Sequence, residues 1–259
     1  MRALIIAFST YSRVPMPHVN FNEKSMRYCM CCFPIVGLFI GACEAALYYL
    51  FASVFHMSGM FAACVLTVAP VLITGGIHLD GYMDTMDAKH SYKSKEEKLA
   101  ILKDPHLGAF AVISAMVYFV LYVGATYQML TYLEDGNVIK MVVPIAYIFV
   151  LERVLSGLSV VLFPKAKKDG MLAATACQAD RKVAVILVIL GLLFTAVSAI
   201  ACPVRTMVIA GTGLICFARY RVMSEKLFGG TTGDLAGEFL QTTELLCILM
   251  LFVCSEIMK

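Results

Sequence analysis

The sequence predicts an all-α, polytopic integral membrane protein: a helical bundle of about seven transmembrane helices, with six as the fallback. Three observations carry that prediction. Hydrophobic residues fill 60% of the 259 positions and charged residues only 15%, and the mean hydropathy is +0.82. A soluble chain this apolar would expose large contiguous apolar patches. The apolar residues also fall into runs that approach the ~20 residues a bilayer-spanning helix requires. No solenoid-type period or low-complexity segment breaks the chain, so residues 1–259 form one transmembrane domain.

The elements follow in order. Residues 2–15 read as a short amphipathic lead-in lying at the membrane surface, stopped by Pro15 and Pro17. No small-residue cleavage site follows the apolar Met1–Phe8, so no cleavable signal peptide is expected. Pro34 opens the first long span, which runs to about Phe55, and a second covers Met57 to about Ile73 after a tight turn. Residues 74–106 form the longest polar excursion. Further spans are predicted over 107–130, 139–163, 183–201, 204–220 and 238–256, the one at 204–220 being the weakest.

Basic residues set the orientation. Segments on the N-terminal side of the membrane would carry Arg2, Arg13, Lys24 and Arg27; Lys89, Lys93, Lys95, Lys98 and Lys103; Lys165, Lys167, Lys168, Arg181 and Lys182; and Arg219, Arg221 and Lys226. The opposite side holds only Lys140, Arg205 and Lys259. That bias places the N-terminus and every polar motif on the cytoplasmic side. The ten cysteines form no framework: Cys43, Cys64, Cys216, Cys247 and Cys254 lie within apolar runs, and Cys29, Cys31 and Cys32 have no second Cys/His cluster to complete a site. Free thiols fit loops facing a reducing compartment.

The chemistry gathers in Thr74-Gly75-Gly76-Ile77-His78-Leu79-Asp80-Gly81-Tyr82-Met83-Asp84-Thr85-Met86-Asp87-Ala88-Lys89-His90. On a helix, Asp84 falls about 40° to one side of Asp80 and Asp87 about 20° to the other, so all three carboxylates aim one way. Bare like charges at these spacings repel. Either the helix presents a solvated acidic face, or a hard cation such as Mg²⁺ or Mn²⁺ sits between the oxygens.

Two further polar sites share that side. Asp104-Pro105 reads as an N-cap with proline at N1, and the same helix start, beside Lys103 and His106, offers an anion site. Gly229-Gly230-Thr231-Thr232-Gly233-Asp234-Leu235-Ala236-Gly237 is a glycine-rich loop before the last span. Asp234 caps that helix, or the glycines let backbone N–H groups approach a phosphate. Within the spans, Glu44, Glu152, Arg153 and Glu244 are expensive residues that must pair or line a polar cavity. Glu44 and Arg153 are expected to pair, unless Arg153 reaches an anionic substrate. Metal-binding carboxylates, phosphate-binding cations and glycine-rich connections on one aqueous side together describe a membrane enzyme of phosphoryl transfer. A divalent-cation transporter would instead carry its acids near mid-membrane on several spans.

Gly75-Gly76-Ile77-His78-Leu79-Asp80-Gly81-x-x-Asp84-Thr85-x-Asp87 closely resembles the signature of the cobalamin synthase family, the adenosylcobinamide-GDP ribazoletransferases. Arg13-Val14-Pro15-Met16-Pro17, Phe33-Pro34-Ile35-Val36-Gly37, Lys103-Asp104-Pro105-His106-Leu107-Gly108 and Gly229-Gly230-x-Thr232-Gly233-Asp234 resemble its other motifs, in order. His106 stands where the family usually has arginine, and Lys168-Asp169-Gly170-Met171 matches only loosely.

The resemblance implies a single catalytic domain in the prokaryotic inner membrane. It would join adenosylcobinamide-GDP to α-ribazole, or its 5′-phosphate, with release of GMP. Mg²⁺ is the implied cofactor, with Mn²⁺ as a substitute, and nucleic acid is not an expected partner. Asp80, Asp84 and Asp87 would hold the metal. His78, Asp104 and Asp234 are the catalytic candidates, with His78 as general base only if it precedes the helix. Arg13, Lys103, His106, Arg153 and Gly233 would contact substrate. Other readings are a CDP-alcohol phosphotransferase, which needs an Asp-Gly-x-x-Ala-Arg continuation that is absent here, and an aspartate-rich prenyltransferase, which needs a second acidic cluster.

Overall fold

A computed structural model describes residues 1–19, 23–55, 57, 59–131, 139–166 and 181–258. Among them the elements are α1 (Arg2–Tyr11), α2 (Glu23–Arg27), α3 (Cys29–Tyr49), α4 (Met60–Thr74), α5 (Ile77–His90), α6 (Lys95–Ile101), α7 (Ala109–Thr131), α8 (Ile139–Leu162), α9 (Arg181–Ala201), α10 (Pro203–Met223) and α11 (Gly233–Ile257). Short π-helical turns extend α3 over Leu50–Val54 and α10 over Ser224–Phe228. The described residues contain no strand, only an isolated parallel bridge between Lys165 and Thr231. The loosely matching stretch at 168–171 lies outside the described residues.

The all-α membrane bundle is borne out. Among the described residues five helices are long and apolar enough to cross a bilayer, namely α3, α7, α9, α11 and the Val142–Leu162 part of α8. A sixth is counted if α4 and α5, bent by 95° at their junction, cross together. Seven were expected, and the difference has two physical sources. α4 has only 15 residues before the chain turns. α10 has 21, but Arg205, Arg219 and Arg221 dilute its apolar character. α3 also begins at Cys29, ahead of Pro34, which is accommodated inside the helix like Pro70 in α4 and Pro144 in α8. α1 does more than lie on a surface: Ile6, Ala7 and Phe8 are buried, and the Tyr11 ring sits 4.4 Å from Phe33 of α3.

α8 is the axis of the bundle, packed by α3, α9, α10 and α11. Its apolar window is 83% buried, against 17% for peripheral α9, where Leu192 and Ile200 face outward to lipid. The axis carries a charged pair. Arg153 bonds Glu152 and the Phe149 carbonyl (3.1 Å), and its guanidinium stands 5.6 Å from the Phe33 ring. Arg153 is 2% exposed. The expected Glu44–Arg153 pair does not form. Arg153 lies beside Gly37, whose position would bring a Cβ within 2.9 Å of the Arg153 Cδ, about two turns ahead of Glu44 on α3. Glu44 instead lines a cavity with Tyr48, Tyr122 and Thr126.

Candidate active site

Two glycines make the elbow that aims the acidic helix. Gly75 (φ 68°) ends α4 and Gly76 (φ 78°) precedes α5, both in left-handed conformations that side chains disfavour. Arg13 closes the elbow from outside. Its N–H donates to the Ile73 carbonyl at 2.7 Å, and a Cβ on Gly75 would stand 2.5 Å from its Nε. Arg13 is exposed there, beside the start of the helix that carries Asp80.

From the elbow α5 runs across the first turns of α11 at very short range. A Cβ on Gly81 would meet the Asp234 Cα at 2.8 Å, and one on Gly237 would meet the His78 carbonyl oxygen at 2.7 Å. On the other side Tyr82 reaches α7, its hydroxyl donating to the Ser114 carbonyl (3.4 Å). The sequence assigned the glycines before α11 to loop freedom and phosphate approach. Gly237 serves helix packing instead, and it brings carboxylates of two helices together.

The electrostatics record that convergence. Asp84 is half-buried, and its carboxyl is pushed up to about 6, first by burial and then by Asp80, Asp234 and Asp87. Asp80 is exposed at the rim. Among the described residues no three His, Cys, Asp or Glu side chains converge closely enough to enclose a metal ion. The arrangement is an open acidic mouth, with donors from α5 and α11 crowded enough to repel.

Asp87 is engaged by the start of α7. Its Oδ2 accepts from the Gly108 N–H (2.6 Å) and its Oδ1 from the Ala111 N–H (2.9 Å), so it caps α7, satisfying donors that a helix start leaves unpaired. Asp104-Pro105 is the pair whose pattern predicts that cap. Asp104 is instead exposed in the loop before α7, accepting from the His106 N–H (3.0 Å) and lying 2.7 Å from its ring Nδ1. Those bonds hold its carboxyl below the ordinary range. His106 is thereby partnered, and Lys103 beside it is exposed.

His78 lies inside α5, in its first turn, stacked near Tyr11 (6.1 Å between centroids) with the Phe33 ring tilted beside it (6.0 Å). Burial, with Arg153 nearby, drives its imidazole down to about 3. Enclosed by those rings, it lies apart from the open mouth at Asp80. Arg153 is likewise sealed in the bundle.

At α11, Thr232 rather than Asp234 is the cap, accepting from the Leu235 N–H (3.2 Å). This leaves Asp234 in the first turn, facing α5. A Cβ on Gly233 would meet nothing within 4 Å, so the backbone there is open to an incoming group.

Sequence reasoning missed two supports. Arg219 of α10 donates to both Glu238 oxygens at 2.8 Å, and Glu238, fully buried, lies one turn beyond Asp234. Lys165 binds the loop ahead of α11. The i, i+4 spacing of Asp234 and Glu238 was the available signal for the first; nothing local marks the second.

The family model described as cobalamin-5-phosphate synthase (CobS) matches residues 3–252, a span that holds every acid of the mouth. The chain belongs to the cobalamin-5-phosphate synthase family. Among curated relatives of that family, the adenosylcobinamide-GDP ribazoletransferase of Lachnoclostridium phytofermentans is 42% identical, over 99% of this chain and 95% of its own length. Proteins of the same name from a Geobacillus species (33%; 87% of this chain, 85% of the relative) and Listeria monocytogenes (31%; 97% of each) are also similar. No solved structure matches the chain. The cobalamin-5-phosphate synthase match covers all the described helices up to the last turn of α11.

Proposed function

We propose that this chain is an adenosylcobinamide-GDP ribazoletransferase. It joins the activated corrinoid to α-ribazole or its 5′-phosphate and releases GMP. Its acidic mouth opens to the cytoplasm from a prokaryotic inner membrane. The observation that carries the reading is the meeting of Asp80 and Asp84 on α5 with Asp234 on α11, at one end of a membrane bundle.

The donor set fits Mg²⁺. All donors are carboxylate oxygens, and their mutual repulsion calls for a counter-charge. The lack of a closed three-carboxylate cage is no obstacle, because Mg²⁺ is usually held by one or two carboxylates together with substrate phosphates. Asp80 and Asp84 would hold the ion, with the Asp234 carboxylate adding to the negative field around it, and Mn²⁺ as its nearest substitute. When bound, it would neutralise phosphate oxygens and polarise phosphorus.

The chain's own residues supply the rest. Arg13 at the elbow and Lys103 in the loop before α7 bind diphosphate charge. The open backbone at Gly233 gives access beside Asp234. Attack by the ribose hydroxyl forms a bond to the phosphorus attached to the corrinoid and breaks the bond to the GMP phosphate. The hydroxyl proton goes to Asp234, which approaches from a different helix than Asp80 and Asp84. His78 and Arg153 act inside the bundle, holding α1, α3 and α8 together.

The test is GMP release by protein reconstituted in liposomes with the activated corrinoid. Release that requires both α-ribazole and Mg²⁺ supports the assignment. Ribazole-independent release, or Mg²⁺ flux without turnover, overturns it.

A further inference from the structure

We infer that Lys165 is a positioning residue for the acidic mouth: it fastens the segment after α8 to the Gly229–Thr232 loop and so sets where Asp234 stands relative to Asp84. The inference rests on the proposed reading of that mouth.

Lys165 follows the end of α8, where a lysine ordinarily extends its ammonium into water. Here it folds back. Its Nζ donates to the Phe163 carbonyl (2.8 Å), the Ser159 carbonyl (3.0 Å) and the Thr231 hydroxyl (3.3 Å). An ammonium has three donors and no acceptor, so its capacity is spent on the protein and none is offered to a substrate. Two of the partners lie at the end of α8, where the dipole is negative: the Phe163 carbonyl just past the helix, and the Ser159 carbonyl, which also accepts from the Phe163 N–H (3.0 Å). The third belongs to a segment far along the chain.

Thr231 continues the seam. Its N–H donates to the Pro164 carbonyl (2.8 Å) and its carbonyl accepts from the Ala166 N–H (3.1 Å), while its hydroxyl donates to the Pro164 carbonyl (3.1 Å). Gly230 (φ 151°) lies flat against this segment, where a Cβ would come within 2.5 Å of the Ala166 nitrogen. Beyond the seam, Thr232 caps α11, and Asp234 rests on Gly81 and adds to the field on Asp84. Lys165 therefore acts on the mouth through Thr231 and the helix start. The backbone bonds of the seam survive its removal, so its loss loosens the loop without detaching it.

The experiment uses the full-length protein in nanodiscs. It compares Lys165→Met, Thr231→Val and Thr231→Ser, alone and with Asp234→Asn. Mn²⁺ binding is read by electron paramagnetic resonance, alongside the Mg²⁺ dependence of GMP release. Lys165→Met and Thr231→Val should each weaken Mn²⁺ binding by about ten-fold, Thr231→Ser should bind like the wild type, and the losses should shrink to under about two-fold in the Asp234→Asn background, as expected for coupled sites. Wild-type Mn²⁺ affinity in Lys165→Met overturns the inference, even if that variant unfolds at a lower temperature. So do losses that multiply with Asp234→Asn. A wild type that binds Mn²⁺ but releases no GMP sinks the proposed function while the binding comparison still decides the role of Lys165. A wild type that binds no Mn²⁺ sinks both.

Discussion

Gly81 and Asp234 touch backbone to backbone: a methyl group on Gly81 would stand 2.8 Å from the Asp234 Cα and 2.9 Å from its carbonyl oxygen. Neither atom belongs to a side chain that can swing aside, so α5 and α11 would have to separate. Overpacking of this kind costs about 1–3 kcal/mol. Gly81→Ala should insert and fold with a lowered unfolding temperature. Its GMP release should fall by at least about a hundred-fold, because small displacements of reacting groups are expensive. Near-normal turnover in this variant would show that the α5–α11 spacing does not set the site.

Asp84 and Asp87 are three residues apart on one helix but have different partners. Both oxygens of Asp87 are engaged by N–H groups at the start of α7, whereas Asp84 is crowded by other carboxylates. Asp87→Asn should therefore act as a cap loss, lowering stability by about 1 kcal/mol with only a partial fall in activity. Asp84→Asn should abolish turnover and leave the unfolding temperature unchanged or higher, since it removes repulsion. Thermal unfolding and GMP release, measured side by side, check the pair. The reverse pattern would return Asp87 to the metal.

Glu152 and Arg153 are neighbours in sequence and partners in the core, with relative side-chain exposures of 0% and 2%. Removing one member of such a pair leaves an uncompensated buried charge, at a cost of about 3–5 kcal/mol. Arg153→Met should be strongly destabilised, and adding Glu152→Gln should recover much of the loss. Thermal unfolding in detergent gives the comparison. If the double variant were no more stable than the single one, the pairing would not be what holds α8.

The membrane bundle was legible because apolar runs report bilayer burial directly. Among the described residues α4 and α10 fall short of a full span by themselves, because length in the first and charge in the second act against hydropathy. Asp80 and Asp84 could be placed together from helical periodicity, since both belong to one element. Asp234 was legible as an acid, but its approach to Asp84 depends on Gly81 and Gly237, and contact between elements leaves no local pattern. Asp87 and Asp104 were exchanged for the same reason. A carboxylate close in sequence to a helix start looks like its cap, yet α7 takes its cap from the preceding long helix, 21 residues earlier. His78 falls on the opposite helical face from Asp80, as periodicity indicated. It lies inside α5 rather than ahead of it.

The raised Asp84 carboxyl gives the mouth a pH signature whose sign can be worked out. Its ordinary value is 3.8 and its folded value about 6, so between those limits the folded state binds a proton that the unfolded state has released. Stability from this group is therefore present at low pH and lost as pH rises through about 6. Without divalent cation, the unfolding temperature should be higher at pH 5 than at pH 7 through this group's contribution, and Asp84→Asn should flatten that difference. Cation binding runs the opposite way, because only the ionised carboxylate is a ligand. Mn²⁺ affinity should decline by up to about ten-fold per pH unit below 6, the limit for release of one proton. Measuring Mn²⁺ affinity from pH 5 to 8 in the wild type and in Asp84→Glu separates the two effects. A flat affinity profile in the wild type would remove Asp84 from the ion's surroundings.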